Sequence, residues 1–537
     1  VCPDVGGGFG VKYFCYPEQA VLLWASKLTG RPVRWTATRS EALVTDTHGR
    51  DHSTTAAMAF DGNGRILAMR CESIQSYGAY TSTFAPVILM HVMPETLVGM
   101  YKVPVGYLRI RGVFTHTPPI DAYRGTKQAA AYLHERLIDQ AAREMHIDPA
   151  DLRLRNYLHH EDYPHTHIFK RTYDSANPAL QHQTLDGIVD YESLRAEQLN
   201  WPRMGWRLGI GLAAIMESTG MGPSRQMSGK IGGWESAQVR VYPDGKVTVF
   251  VGTHSHGQSH EITFRQLAAD QLGIDLEHVE FFQGDSDAGP GNLGTAAARA
   301  LSTAGMGIVE GARRIIDKGC VLASHLMECA PSDIEYAHGQ FAIRGTDKRL
   351  SFAAIAEASH SGTDYPDEGF ELGLEETVFY DPVDWGYPTA LHLAVVLVDE
   401  ETGVIKIRDY YTVDDCGRVI NPMVVHGQVH GGIAQGVGQV LMEKITFDEA
   451  GQMLTGSLVD YALPRADDLP GFKVAFQETL NPNNVIGAKG CSETGIVGAP
   501  PAICNAVLDA LAPVGVKHIE MPLTAEKVWR AIRQAPQ

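Results

Sequence analysis

A chain of 537 residues with 44% hydrophobic and 20% charged residues has apolar content for more than one core. Its 45 lysines and arginines against 63 aspartates and glutamates leave −18, a balance that disfavours nucleic acid or an anionic membrane surface as partner. No apolar run reads as a membrane span and no segment as a signal peptide, and eight scattered cysteines without Cys-x-x-Cys offer neither a zinc site nor an iron–sulfur cluster within this chain.

The chain opens on VCPDV, apolar and strand-like, followed by GGGFGVK. Five residues cannot form a stable strand pair by themselves. With no methionine at the start, the expectation is a cut, split or longer subunit whose other strands lie beside Val1. The glycines Gly6, Gly7, Gly8 and Gly10 remove side chains where something comes close to the backbone. Pro17 to Leu28 reads as an amphipathic helix, with Pro near its start, Ala20, Val21, Leu22 and Trp24 apolar, and Gly30 after its end. RPVRWTATR and RILAMRCES read as strands, AAAYLHERLIDQAAREM as a helix and HIDPADLRLRN as a short capped helix. From about Glu161 to Asn200 the chain turns polar and rich in His and Pro, which places a boundary between domains at 1–200 and 201–537.

The second half begins with RLGIGLAAIMES and SAQVRVYPDGKVTVFVGT, the latter a period-2 hairpin turning at Pro243-Asp244-Gly245. HSHGQSHEITFRQLAADQLGI follows as strand, glycine loop and helix, an order that echoes the opening stretch and suggests an internal duplication. NPMVVHGQVHGGIAQGVGQVLME reads as a third glycine-rich approach to a helix, and GAKGCSETGIVGAPPAICNAVLDAL as a fourth loop before the last major helix. Backbone N–H groups at helix starts, free of Cβ bulk, can hold an anionic group without net positive charge. Alternatively the glycines only permit turns. Standard nucleotide motifs do not fit: Gly10-Val11-Lys12-Tyr13 lacks the Lys-Ser/Thr of a P-loop, and Gly6 to Gly10 is not Gly-x-Gly-x-x-Gly.

Six motifs carry a resemblance. GGGFGVK (Gly6 to Lys12), AYRG (Ala122 to Gly125), HGQSHE (His256 to Glu261), GTAAARALS (Gly294 to Ser302), NPMVVHGQVHGG (Asn421 to Gly432) and GAKGCSETG (Gly487 to Gly495) stand in the order found in the molybdenum hydroxylase family. That family includes xanthine dehydrogenases, aldehyde oxidoreductases, aerobic carbon monoxide dehydrogenases and bacterial N-heterocycle hydroxylases. The chain resembles the molybdenum-cofactor-binding domains of the large subunit over nearly its whole length. The resemblance implies an α+β fold of two related domains with mixed sheets and packed helices.

It also implies roles. Phe9 and Gly10, with Gly8, match the loop that packs on the pterin and faces the molybdenum, and Arg124 matches the arginine of the second active-site loop. Gln258, beside Gly257, and Gln428 match glutamines that bond the pterin or its cytosine dinucleotide form; Ala298, Arg299, Lys489 and Gly490 fall in the remaining cofactor motifs. Taken singly, each glutamine reads as a helix cap or a surface residue. Glu493 matches the glutamate beside the metal, which no protein side chain ligates directly because the pterin dithiolene holds it. The reaction class inserts water-derived oxygen into a C–H bond, and a carboxylate there can accept the proton released. A Glu in such a loop can equally be a solvated surface charge. His254, His256 and His260 suggest zinc on a sharp reading, but no cysteine or carboxylate set completes a site, and loop or exposed imidazoles account for them.

Departures from the family bear on substrate. Carbon monoxide dehydrogenases carry a copper-binding cysteine after the loop's Tyr-Arg, where this chain has Gly125. Purine-oxidising members have a glutamate where Tyr13 stands and an aromatic residue at the place of Thr126. Tyr13, Gly125 and Thr126 are therefore the substrate-side candidates. Lys127 either faces an anionic substrate or is a solvated helix residue, the reading preferred here. The expectation is the catalytic molybdenum subunit of a cytoplasmic hydroxylase for an aldehyde or aromatic N-heterocycle. Partner subunits would carry [2Fe-2S] clusters and FAD in a higher hetero-oligomer. The alternatives are a non-catalytic molybdopterin-binding or assembly subunit, or a nucleotide-binding module.

Overall fold

The computed structural model describes residues 1–2, 4–227, 232–291, 293–366 and 370–535. At its centre the strand Trp206–Met216 pairs antiparallel with Thr389–Asp399, which pairs antiparallel with Ile405–Asp415, and Phe472–Phe476 completes the sheet in parallel. Both faces are buried. Leu208, Ile210, Leu212 and Ala214 point into one core with Leu97, Met100, Tyr101 and Ile138 of the first half, while Ala213 and Ile215 point into another with the helix Thr494–Leu511. This is the period-2 alternation of a strand covered on two sides. The glycines of RLGIGL are required by contact: a Cβ on Gly209 or Gly211 would overlap the carbonyls of Ala506 and Ala502.

The helix Thr494–Leu511 is the axis of the molecule, packing on the helices Pro422–Leu441 and Gln128–Met145 as well as on the sheet. By length and composition its surroundings Thr494–Val514 could cross a membrane, but 89% of that apolar window is buried inside the fold. A second sheet, Leu374–Tyr380, Glu235–Val241, Val247–Val251 and Val279–Phe282 in that order, is covered by the helices His260–Leu272 and Met306–Leu326. Its Glu235–Val251 hairpin turns where expected, with Gly245 N donating to Tyr242 O at 2.9 Å. A third sheet of His52–Phe60, Ile66–Ser76 and Gly106–Val113 belongs to the first half. Antiparallel and parallel pairs occur together in all three, so the fold is α+β with mixed sheets.

Several expectations are corrected. RPVRWTATR forms no strand among the described residues, and Val33 and Trp35 are 40% and 45% exposed, because nothing described offers that backbone a ladder partner. Val1, Cys2, Asp4 and Val5 are likewise outside any strand and Pro3 lies outside the described residues, although Cys2 N donates to Gly284 O at 2.7 Å. Among the described residues the echo between the opening loop and the second glycine loop, which follows the strand Val247–Val251, extends over loop and helix. The helix Pro17–Thr29 forms and ends at Gly30 with φ 63°, but it buries no residue. Finally, the third glycine-rich stretch is itself helix from Pro422 to Leu441. Its Gly432 and Gly436 would bring a Cβ against Gly495 and Ala499, which is how two helices come into backbone contact.

Candidate active site

Segments far apart in sequence meet at Arg124. Its backbone N–H donates to Phe9 O at 2.7 Å, and its guanidinium lies 5.5 Å from the centre of the Phe9 ring. The guanidinium donates to Ser492 O at 2.6 Å, Gln428 O at 2.8 Å and Gln435 Oε1 at 2.8 Å. One buried cation therefore ties the opening glycine loop, the helix Pro422–Leu441 and the loop before Thr494 into one junction. Glycines make the approach feasible: a Cβ on Gly10, whose φ is 97°, would stand 2.7 Å from Ala122 O, and one on Gly8 would stand 3.3 Å from His256 Nδ1. On the far side Gly490 packs against Ala298 and Thr219, and its N–H donates to Thr219 Oγ1 at 3.2 Å. Phe9 and Ala298 adopt φ 51° and 49°, a left-handed conformation that costs about 1–2 kcal/mol for a residue with a side chain. Such strain persists only where surrounding contacts hold it.

Glu493 sits at the N-cap of the helix Thr494–Leu511, where the helix dipole favours a negative charge. Its Oε2 is buried and has no hydrogen-bond partner. A buried acceptor left unmet costs about 1–3 kcal/mol, which a bound group or a transferred proton could recover. Next to it lies an ion pair that the sequence did not show. Lys127 Nζ is 3.0 Å from Glu217 Oε1, with side chains 4% and 0% exposed. The expected solvated or substrate-facing role for Lys127 is thereby replaced by a buried one.

The other sequence-derived candidates fall into two groups. Three polar side chains are spent on the protein itself. Arg299 is fully buried against Glu235 at 2.7 Å and also donates to Trp234 O at 3.1 Å. Lys489 donates from Nζ to Ser175 O at 2.7 Å and lies 3.8 Å from Asp174, linking the halves of the chain. Gln258 turns back on its own loop, accepting from His256 N and donating to His254 O at 3.4 Å. Gln428 meets Arg124 through its backbone carbonyl. Gly257, φ 101°, is exposed beside Ser259 at the start of the helix His260–Leu272. On the substrate side, Tyr13 is half-buried with its ring 5.2 Å from Phe84, and Thr126 is half-buried in the turn before Gln128–Met145. Gly125 has φ 72°, and a Cβ there would stand 2.7 Å from Ile496 Cγ2.

The three histidines do not group as metal ligands. His254 and His256 rings are 5.6 Å apart, while His260 is buried and stacks 5.0 Å from Phe264. Among the described residues no set of three His, Cys, Asp or Glu is placed to hold a metal ion. Arg50 and Gln435 escaped the sequence reading. Arg50 donates to Tyr123 O and Arg124 O at 2.6 Å each and to Gln439 Oε1 at 3.3 Å, bracing the arginine turn. Gln435 had a usable signal, since it stands two helical turns from Gln428 on the same face; Arg50 had none.

Known proteins with this arrangement are identifiable. Two family models described as molybdopterin cofactor-binding domain match residues 1–157 and 184–470. The chain is 35% identical over 541 residues to the carbon monoxide dehydrogenase large chain of Hydrogenophaga pseudoflava, covering 99% of this chain and 67% of that one. It is 33% identical over 558 residues to the nicotine 6-hydroxylase large subunit of Paenarthrobacter nicotinovorans, covering 100% of this chain and 67% of that subunit. The structure matches that of quinoline 2-oxidoreductase from Pseudomonas putida 86 with a TM-score of 0.95 and 36% identity, over 99% of this chain and 68% of that one. The chain thus spans about two thirds of the length of these relatives.

Proposed function

The chain belongs to the molybdenum hydroxylase family, and from that premise we propose that Glu493 is its proton acceptor in the hydroxylation of an aldehyde or aromatic N-heterocycle. As in its relatives, the chemistry is that of a molybdenum-dependent oxidoreductase. The observation that carries the proposal is the buried, unpartnered Oε2 of Glu493 beside the Arg124 junction. When bound, the molybdenum cofactor supplies the two-electron oxidation of the substrate carbon. The chemistry of the junction fits such a group: Gly8, Gly10 and Gly490 let the loops that carry Phe9, Ala298 and Glu493 close on one another, and Glu493 Oε2 offers an unmet acceptor. Gln258, Gln428 and Gly257 are assigned to the pterin end, in its cytosine dinucleotide form. Arg299 and Lys489 serve this end through the loops they brace, with their charges already neutralised or bonded.

Glu493 Oε2 takes the proton that water-derived oxygen must lose as its bond to carbon forms. Its place at the N-cap of the helix Thr494–Leu511 suits a negative charge. Arg124 keeps the Ser492 carbonyl, one residue away, fixed in place.

Gly125 argues against carbon monoxide as substrate despite the similarity to carbon monoxide dehydrogenases, because its φ of 72° and the nearness of Ile496 leave no place for the cysteine side chain. Tyr13 and Thr126 stand where purine-oxidising members carry glutamate and an aromatic ring, which favours a substrate other than xanthine. Iron–sulfur and flavin subunits are assigned as electron acceptors, and a further part of the large subunit as cover for the helix Pro17–Thr29, which exposes Leu23 by 75%, Trp24 by 64% and Leu28 by 69%. Eight free cysteines fit a reducing, cytoplasmic setting.

Glu493→Gln tests the assignment. It is expected to retain molybdenum while turnover falls by at least about a hundredfold, the scale of a lost general base. A variant with full cofactor and near-normal turnover would refute it.

A further inference from the structure

A second arginine stands behind Arg124. Arg50 donates from its two terminal nitrogens to Tyr123 O and Arg124 O at 2.6 Å each and from Nε to Gln439 Oε1 at 3.3 Å, and its guanidinium lies 5.1 Å from the centre of the Tyr123 ring. A planar fork is thus matched to two successive carbonyls of one turn, a geometry that a lysine ammonium cannot reproduce. The segment before Arg50 is zipped to the same stretch. His48 N donates to Pro119 O at 2.8 Å, Asp121 N donates to His48 O at 2.9 Å, and a Cβ on Gly49 would stand 2.9 Å from Tyr123 Cβ. Arg50 itself holds φ 71°, the left-handed region that a residue with a side chain keeps only where its surroundings impose it. Among the described residues neither Arg50 nor Arg124 forms an ion pair with a carboxylate, and carbonyl and amide oxygens meet both cations. A cation with no anion beside it is costly to shelter from water, so stability alone does not account for placing two of them on one turn.

Unbroken contacts lead from Arg50 to Glu493. Arg50 holds the Arg124 carbonyl, the Arg124 guanidinium donates to Ser492 O at 2.6 Å, and Ser492 is the residue before Glu493. The helix Pro422–Leu441 supplies one glutamine to each arginine, Gln439 to Arg50 and, one turn earlier, Gln435 to Arg124 at 2.8 Å. Building on the reading of Glu493 as proton acceptor, we propose that Arg50 is a positioning residue of the reaction: its fork locks the Tyr123-Arg124 turn from behind and, through Arg124, holds the Glu493 loop in place for proton transfer. A misplacement of about 1 Å at a reacting group can cost about a hundredfold in rate, and a brace that never touches substrate guards against it.

The test uses the assembled enzyme with quinoline and benzaldehyde as probe substrates, a dye as acceptor and guanidinium chloride as a rescuing ion. Arg50→Ala empties the space behind the turn, and kcat per bound molybdenum is expected to fall by at least about tenfold for both substrates. Millimolar guanidinium should restore much of that loss and sodium chloride at the same strength should not, because only the planar fork meets both carbonyls. Without turnover, hydrogen exchange at the Arg124 amide, which donates to Phe9 O at 2.7 Å, should quicken by at least about tenfold in the same variant. A residue that only supports the fold would lower the unfolding temperature and the molybdenum content, and guanidinium would not recover kcat per molybdenum. That result overturns the proposal, as does a kcat within about twofold of wild type in Arg50→Ala. Should that variant not fold, Arg50→Lys carries the test: it keeps the charge but meets one carbonyl of the two, and a kcat or an Arg124 exchange rate within about twofold of wild type overturns the proposal. An active Glu493→Gln enzyme would instead sink the assignment of the base, while the Arg124 exchange rate and the guanidinium rescue still decide the role of Arg50.

Discussion

Replacing Arg124 by lysine asks how much of the site one guanidinium holds together. The arginine side chain donates to Ser492 O, Gln428 O and Gln435 Oε1 at 2.6, 2.8 and 2.8 Å. A lysine ammonium reaching into the same space can meet one of the three, because it is a point donor where guanidinium is a planar fork. Hydrogen bonds from a charged donor contribute about 1.5–3 kcal/mol each, so two lost bonds amount to about 3–6 kcal/mol. The Phe9 ring, 5.5 Å from the guanidinium, adds a smaller contribution. The loss is comparable with the lower part of the about 5–15 kcal/mol that holds a typical domain folded, but it falls on contacts between a turn, a helix and a loop outside the sheet core. The fold should therefore survive while the junction opens. Hydrogen exchange over residues 487–493 and molybdenum content per chain measure the two consequences. We expect exchange there to quicken by at least about tenfold, the equivalent of 1.4 kcal/mol, and molybdenum occupancy to drop. An Arg124→Lys chain with wild-type protection in that loop and full molybdenum would refute the reasoning.

Two further predictions concern the surface and the interior. Trp24→Glu on the helix Pro17–Thr29 should leave the thermal stability of this chain unchanged, since the helix buries nothing, yet reduce assembly with the rest of the enzyme in size-exclusion runs; normal assembly would remove the proposed cover from this face. Burial lowers the pKa values of His182, His260 and His392 to about 3. From an ordinary value of 6.5, the unfolded state binds protons that the folded state refuses, so these groups contribute stability that is present above pH 6.5 and lost as pH falls toward 3. Each contributes a slope of up to about 1.4 kcal/mol per pH unit, and the unfolding temperature should drop steeply between pH 6.5 and 4.5. A flat profile across that window would contradict the burial of these rings.

Much of the site was legible because its chemistry is local in sequence. Arg124 and Glu493 stand in short motifs, and their placement at one junction follows the order of those motifs. Gln258, Arg299 and Lys489 show the limit. A motif names the residue type at a position, but whether a polar side chain reaches outward or is spent on a neighbour depends on partners hundreds of residues away, such as Ser175 for Lys489. Lys127 illustrates this most clearly: its sequence neighbours TKQAAA suggest a solvated helix start, and only the arrival of Glu217 from the end of the strand Trp206–Met216 gives it a buried partner.

The sequence by itself carried, through six ordered motifs, the resemblance that gave the family, the α+β class and the candidate carboxylate, and it marked the helices Pro17–Thr29 and Gln128–Met145 and the Glu235–Val251 hairpin, since periodicity, caps and turn residues act over a few positions. Tertiary structure decided what those signals cannot reach. RPVRWTATR carries strand propensity, but a strand exists only with a partner. The glycines of NPMVVHGQVHGGIAQGVGQVLME look like loop formers, yet Gly432 and Gly436 sit inside a helix because another helix, beginning at Thr494, must come within backbone contact. Contact between distant segments is a property of packing, and packing minimises the free energy of the whole chain at once, so no local stretch encodes it alone.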